Sequence, residues 1–338
     1  MADAAYWLPI AWAALLATAV ALYVILDGFD LGLGILFPSA ITEERRDVMM
    51  NTVAPFWDGN ETWLILGGGG LFVAFPKAYS IIMPGLYLPI IIMLLALVFR
   101  GVAFEFRWVA KPSHAHWDRA FAWGSITATF FQGVILGGLL QGIAVKDGAF
   151  AGGPLDWLTP FALFCGAALL AGYRLLGATW LIMKTDGDTQ AWARIKAENA
   201  LIAAAVATVV ISLWTPLTIP RIWDRWFVWP NIAFLAPIPL VTAAAALSCW
   251  RGIEDNTSHA KAFFSAIALF LLGFAGLVAS NIPYLVPESL TVWQAAAAPS
   301  SQMFMLIGTL VLLPVILAYT AFIYWTFRGK VRAGDGYH

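Results

Sequence analysis

The stretch APFWDGNETWLILGGGGLFVAF, residues 54–75, sets two tendencies against each other. Its second half is apolar enough for a bilayer, yet Asp58 and Glu61 stand one helical turn apart at its head, between Trp57 and Trp63. An ionised group near the bilayer centre costs a few kcal/mol or more, so such residues normally face a bundle interior and mark ion or proton paths. Glycines 67–70 add a second constraint. Each Gly in a helix costs up to about 1 kcal/mol relative to Ala. Four in a row imply a close approach of another helix or a bulky ligand, or a local break. Tight packing is the common membrane use of small residues.

Outward from this segment the chain is apolar: of 338 residues, 61% are hydrophobic and 12% charged. Soluble domains carry about 25% charged residues, so this is an all-α polytopic membrane protein, read as one transmembrane domain over 1–338. A net charge of −1 supplies no concentrated basic face for nucleic acid. Cys165 and Cys249 lie far apart without metal-ligand spacing and read as small core hydrophobes. The N-terminus lacks the basic region of a secretory signal, so the first apolar run is expected to remain as a span.

At roughly 20 apolar residues per crossing, nine spans are expected, at about 8–36, 52–75, 79–106, 117–142, 156–183, 198–218, 231–250, 262–284 and 303–327. The stretches 43–51, 183–198 and 251–261 read as connections on one side, and 142–157 and 285–302 as connections on the other. Basic residues on the first side include Arg45, Arg46, Arg107, Lys111 and Arg119; the second side holds only Lys77, Lys146, Arg221 and Arg225. This bias places the C-terminus in the cytoplasm and the N-terminus outside.

On that map Asp27 and Asp30 fall in the inner half of span 1. Asp58 and Glu61 lie two to three turns into span 2, and Arg100 and Glu105 near the inner end of span 3. Five carboxylates and one guanidinium thus share a depth. They do not balance, so the surplus acids must be solvated, protonated or paired with another chain. Arg100 also has a plain structural role as the neutralising partner of one acid, and Asp27 and Asp30 as caps of a glycine-rich helix end. Trp7, Trp12, Trp117, Trp157, Trp223, Trp226 and Trp229 fit an interfacial belt. The histidines His114, His116, His259 and His338 all fall in loops or the tail, so no span offers a histidine to an intramembrane haem, and Met93, Met183, Met303 and Met305 read as packing residues. No phosphate loop, CxxC or nucleophile elbow is present.

DGFDLGLG (27–34), NTVAPFWDGNETWLILGGGGLFVAFP (51–76), FRGVAFEFR (99–107), PYLVPESLTVWQAAAAPSSQ (283–302) and GTLVLLPVILAYTAFIYWTFRGKV (308–331) occur in order. Together they resemble subunit II of the cytochrome bd-type quinol oxidases, from near the N-terminus to the final span. The resemblance implies nine helices, as two four-helix bundles and a peripheral helix, in a bacterial inner membrane. It implies a haem-bearing subunit I that carries two b-type haems, haem d and the quinol site, often with a small single-span accessory subunit. It places no haem, metal or catalytic residue in this chain, and it allows a quinone held here as a structural lipid. The complex would oxidise quinol and reduce dioxygen to water with protons taken from the cytoplasm. Asp58 matches an acid of the family's proton path, and Glu105, where some members have Asp, matches an acid nearer its mouth. Asp30, Trp57 and Arg100 match positions that keep the haem-bearing partner assembled, with Asp27 and Glu61 in supporting roles. A second reading stays open beside this one: a proton-coupled secondary transporter working without a haem partner. A purely structural role in stabilising a partner is a third.

Overall fold

The computed structural model describes residues 2–110, 114–332 and 334, which are helical apart from short connections and two small hairpins. Lys111 and His338 lie outside the described residues. Helix α1 (Ala2–Leu36) runs 35 residues and tightens into a 3-10 turn at Phe37–Ser39. The cytoplasmic connection expected at 43–51 is itself a helix, α2 (Glu43–Asn51), capped by Thr42, whose hydroxyl accepts from the Arg45 amide. After the turn through 52–56 come α3 (Trp57–Ala74), α4 (Pro76–Gly85), α5 (Tyr87–Val109) and α6 (His114–Gln141). A hairpin pairs β1 (Val145–Lys146) with β2 (Ala149–Phe150). The second half holds α7 (Pro160–Lys184), α8 (Gly187–Thr218), α9 (Pro220–Phe227), α10 (Asn231–Leu235), α11 (Pro237–Glu254) and α12 (His259–Asn281). The chain closes with the hairpin of β3 (Tyr284–Val286) and β4 (Leu290–Thr291), then α13 (Val292–Ala295) and α14 (Pro299–Thr326).

Eight of these helices, counting α10 and α11 as one, are long and apolar enough to cross a bilayer. The segment expected as the second crossing is α3, which has 18 residues and is not one of the eight. Its polar head Asp58, Asn60 and Glu61 explains the shortfall. The expected third span is broken at Leu86 into α4 and α5. Pro89 has no N–H for the Gly85 carbonyl, which ends the continuous ladder there. The stretch 183–198 is mostly helix as well, because α8 starts at Gly187 and only Thr185 and Asp186 form the turn.

Helix α1 is central, packing on α3, α6, α7, α12 and α14, while α7 packs on α6, α8 and α12. The crossing of α1 and α7 brings backbones into contact. A Cβ at Gly32 would stand 2.0 Å from the Tyr173 carbonyl oxygen, and one at Gly177 would stand 2.5 Å from the Gly32 carbonyl carbon. The glycines at 67–70 divide. Gly70 meets Leu16 and Gly67 approaches Val20, but nothing lies within 4 Å of a Cβ at Gly68 or Gly69. The close approach read from this run therefore holds within the chain for half of it. Two belt tryptophans are core residues instead: Trp12 is buried, its indole donating to the Gln302 carbonyl at 3.0 Å, and Trp157 is buried against α6.

Gly32→Ala should lower the melting temperature of the purified protein, since overpacking a tight contact costs about 1–3 kcal/mol. Gly308→Ala, in α14 with nothing within 4 Å, should not lower it and should raise it through up to about 1 kcal/mol of helix propensity.

Candidate functional site

Where α1, α3 and α5 meet, Arg100 lies 99% buried with three carboxylates around it. Its Nη1 is 2.9 Å from Asp27 Oδ1 and pairs with Glu61 Oε1, and its Nη2 is 3.8 Å from Asp30 Oδ2. Asp27 and Asp30 stand three residues apart, so one face of α1 presents both, and neither is exposed at all. Glu61 is the member with access to the outside, its side chain 25% exposed. The Trp57 ring flanks the guanidinium at 5.9 Å from its centroid and lies over Phe104, the ring centroids 5.2 Å apart.

Asn60 ties a further helix to this group. Its Nδ2 donates to Asp30 Oδ2 at 2.7 Å and to the Leu26 carbonyl at 3.2 Å, and its Oδ1 accepts from the Tyr324 hydroxyl of α14 at 2.9 Å. On the other side, one turn before Asp27, Tyr23 accepts from Gln132 Nε2 at 2.7 Å, and the Tyr173 hydroxyl donates to Gln132 Oε1 at 2.9 Å.

Asp58 and Glu105 are not in the cluster; both are exposed. Asp58 sits in the first turn of α3, shallower in its helix than the two to three turns expected. The neighbours Trp57 and Phe104 are in contact, so the two acids flank one aromatic pair on the outer faces of α3 and α5. Lipid tails offer such acids no partner, so this face calls for water or another protein chain. The sequence grouping of five acids thus resolves into three gathered around Arg100 and two outside.

A second buried ion network lies two turns along α5. Arg107 is fully buried; its Nε donates to Asp118 Oδ1 at 2.6 Å and its Nη1 to Asp47 Oδ1 at 2.5 Å, while Arg46 reaches Asp118 Oδ2 at 2.8 Å. Nearby, Lys184 at the end of α7 donates to the carbonyls of Phe327 and Gly329 at 2.5 and 2.6 Å. Lys330 pairs with Asp186, and Val331 donates its amide to the Lys184 carbonyl at 2.8 Å. Residues 327–332 are thereby strapped across the turn between α7 and α8. Among the described residues no group of three or more His, Cys, Asp or Glu is placed to hold a metal ion.

Against known proteins, the model of the family described as cytochrome bd terminal oxidase subunit II matches residues 8–327. The chain belongs to this family. It is a multi-pass membrane subunit of a bd-type terminal oxidase, and a subunit II implies a subunit I. It is 30% identical to the cytochrome bd-I ubiquinol oxidase subunit 2 of Escherichia coli K12, over 96% of this chain and 95% of that one. With the cytochrome bd ubiquinol oxidase subunit 2 of Bacillus subtilis it shares 30% identity over 95% and 96%. A chain in the structure of bd oxidase from Geobacillus thermodenitrificans has the same fold, with a TM-score of 0.81 at 15% identity, covering 95% of this chain and 98% of that one.

Sequence reasoning about this subunit II missed Asn60, Tyr324, Asp118, Asp47 and Lys184. A signal existed for the Arg107 network: Arg107 follows Arg100 by seven residues, two turns on the same face of α5. Counting it among loop charges hid that. Arg107→Gln should destabilise the fold by up to about 3–5 kcal/mol, the cost of breaking a buried pair, reduced by the bond that Asp118 keeps to Arg46. Asp47→Asn, half-exposed, should stay within about 1 kcal/mol; denaturation of the purified protein reads both. The Lys330 ammonium holds the Asp186 carboxyl below the usual carboxylate range. The strap's ion pair is therefore present above that range and lost as pH falls through the depressed value. The protection of the amides over 327–332, relative to their intrinsic exchange rates at each pH, should fall on acidification, and Asp186→Asn should remove that dependence.

Proposed function

We propose that this chain is the haem-free subunit of a quinol-oxidising, dioxygen-reducing complex, and that it carries protons from the cytoplasm through Asp58 and Glu105 towards a haem-bearing subunit I. One observation carries the reading: two carboxylates at membrane-helix positions are exposed, each next in sequence to one ring of the Trp57–Phe104 contact, backed by an Arg100 site that holds α3 against α5. A carboxylate suits this task because its environment can bring it into the range where it gives and takes protons. In this reading Glu105 stands nearer the cytoplasm and Asp58 further along. Asp27, Asp30, Trp57, Glu61 and Arg100 keep that face in the shape that the partner meets.

The names of the relatives support quinol as the electron donor, as does the family's class as terminal oxidases. The partner in this proposal holds two b-type haems and haem d, with room for a small single-span subunit and for a structural quinone in this chain. The single transmembrane domain, 1–338, has α3 as its ninth crossing. Helices α1, α3, α5 and α6 form one four-helix bundle, α7, α8, α11 and α12 a second, and α14 is the peripheral helix. The pairings of α1 with α3 and α6, and of α11 with α8 and α12, support that division. The excess of basic residues on one side supports an external N-terminus and a cytoplasmic C-terminus in the inner membrane.

Asp58→Asn in the purified complex should slow oxygen consumption towards the about 10²-fold that a positioned proton-transfer group contributes, with both haem types intact in the visible spectrum. Normal turnover with intact haem spectra would refute the proton role, and loss of haem signal would make Asp58 an assembly residue instead. A colourless, active, unaccompanied chain would favour the transporter reading.

A further inference from the structure

We propose that Asp27, Asp30 and Glu61 form an enclosed proton reservoir around Arg100, with Thr129 as a water-holding wall and Glu61 as the door. This deepens the proposed proton path and rests on it for its purpose, but not for its chemistry. Three carboxylates face one guanidinium, which leaves a formal charge of −2 if all are ionised. Asp27 and Asp30 have no exposed surface and Arg100 almost none. Buried charge without a counter-charge costs several kcal/mol per ion, and a group in that position takes up a proton instead.

The hydrogen bonds point the same way. Asp30 Oδ1 and Arg100 Nε are buried without a hydrogen-bond partner, and Asp27 Oδ1 has only its 2.9 Å ion pair with Arg100 Nη1. Thr129 Oγ1, also fully buried, has no hydrogen-bond partner either. Its place is fixed by its neighbours on α6. Ser125, one turn before it, presses on α1 where a Cβ on Gly34 would stand 2.0 Å from the Ser125 hydroxyl oxygen, and Gln132 after it bonds Tyr23. Thr129 lies on the same stripe between these contacts, opposite the Asp27–Asp30 segment of α1. Buried polar atoms in native proteins are almost always paired, with water where protein is absent. A site with this many free donors and acceptors suits protons and the water that carries them.

The titratable groups facing the site are few. Besides its own members they are Tyr23 from α1, Asp58 from α3, Tyr173 from α7 and Tyr324 from α14, whereas the Ser125, Thr129 and Gln132 stripe of α6 is uncharged. Tyr23 accepts from Gln132, which leaves its own hydroxyl hydrogen to offer to Asp27 one turn on. The way out runs through Glu61, one helical turn from the exposed Asp58 and the cluster member with access to the outside. Proton exchange between Asp58 and Asp27 or Asp30 would pass by Glu61; each transfer moves one proton between two carboxyl oxygens and leaves the total unchanged.

Infrared spectroscopy of the whole haem-containing complex tests this, because a protonated carboxyl has a carbonyl band that an ionised one lacks. The wild type should show such bands, shifted in heavy water. Glu61→Gln and Asp27→Asn should each remove or displace one, and Glu61→Gln should slow the heavy-water shift of those remaining. Glu61→Gln keeps an oxygen for Arg100, so it serves where Asp27→Asn fails to assemble. Identical carbonyl bands in the wild type and both assembled variants would overturn the reservoir. If the bands respond as expected while Asp58→Asn turns over normally, the reservoir stands and the Asp58 path falls.

Discussion

Arg100 joins three helices through ion pairs at one buried point. Its guanidinium sits against Asp27 and Asp30 of α1 and Glu61 of α3 from its own place on α5. At about 4 Å and an effective dielectric of about 20, one such attraction is worth about 4 kcal/mol. That is comparable to the penalty for removing the ions from water. The gain over water is therefore small, but the geometry is fixed, because Arg100 cannot leave without stranding the acids of two other helices. The positions of Trp57 and of both exposed acids follow from that fixed geometry.

Helix packing around the cluster obeys a different rule. Lipid gives helices no hydrophobic reason to associate, so contact comes from small residues that let backbones meet. Gly32 and Gly177 do this where α1 crosses α7, just beyond the charged turns of α1. The motif DGFDLGLG thus alternates two functions along one helix: acids turned to Arg100, and glycines turned to α7 at Gly28 and Gly32 and to α6 at Gly34. The aromatic group of Phe29, Trp180, Phe56 and Tyr324 fills the space between, with Phe29 and Trp180 stacked at 4.2 Å and Phe56 and Tyr324 at 4.3 Å.

The apolar spans, their order and the gathering of charges could be read directly, since burying charge in a bilayer leaves a local mark in the sequence. Other features left none. The division of five acids into three inside and two outside depends on which face of α3 and α5 meets α1, and the apolar residues cover both faces of those helices. The break at Leu86 was visible only as Pro84 and Pro89, residues that membrane helices often tolerate. Asn60 was legible as part of WDGNE but not as a bridge, because its partner lies 264 residues away. Lys184 looked like an ordinary cytoplasmic anchor; its burial depends on where residues 327–329 end up.

The bond from Tyr324 to Asn60 has a consequence for how this molecule is made. A ribosome releases the chain from residue 1 onward, and domains generally form in that order. Asp27, Asp30, Glu61 and Arg100 can meet once roughly the first third of the chain has been threaded into the bilayer. The hydroxyl that holds Asn60, and the strap that Lys184 clasps beneath it, emerge only after the other long helices. For most of its synthesis the charged centre is therefore an open vessel within the membrane, and the final helix closes it.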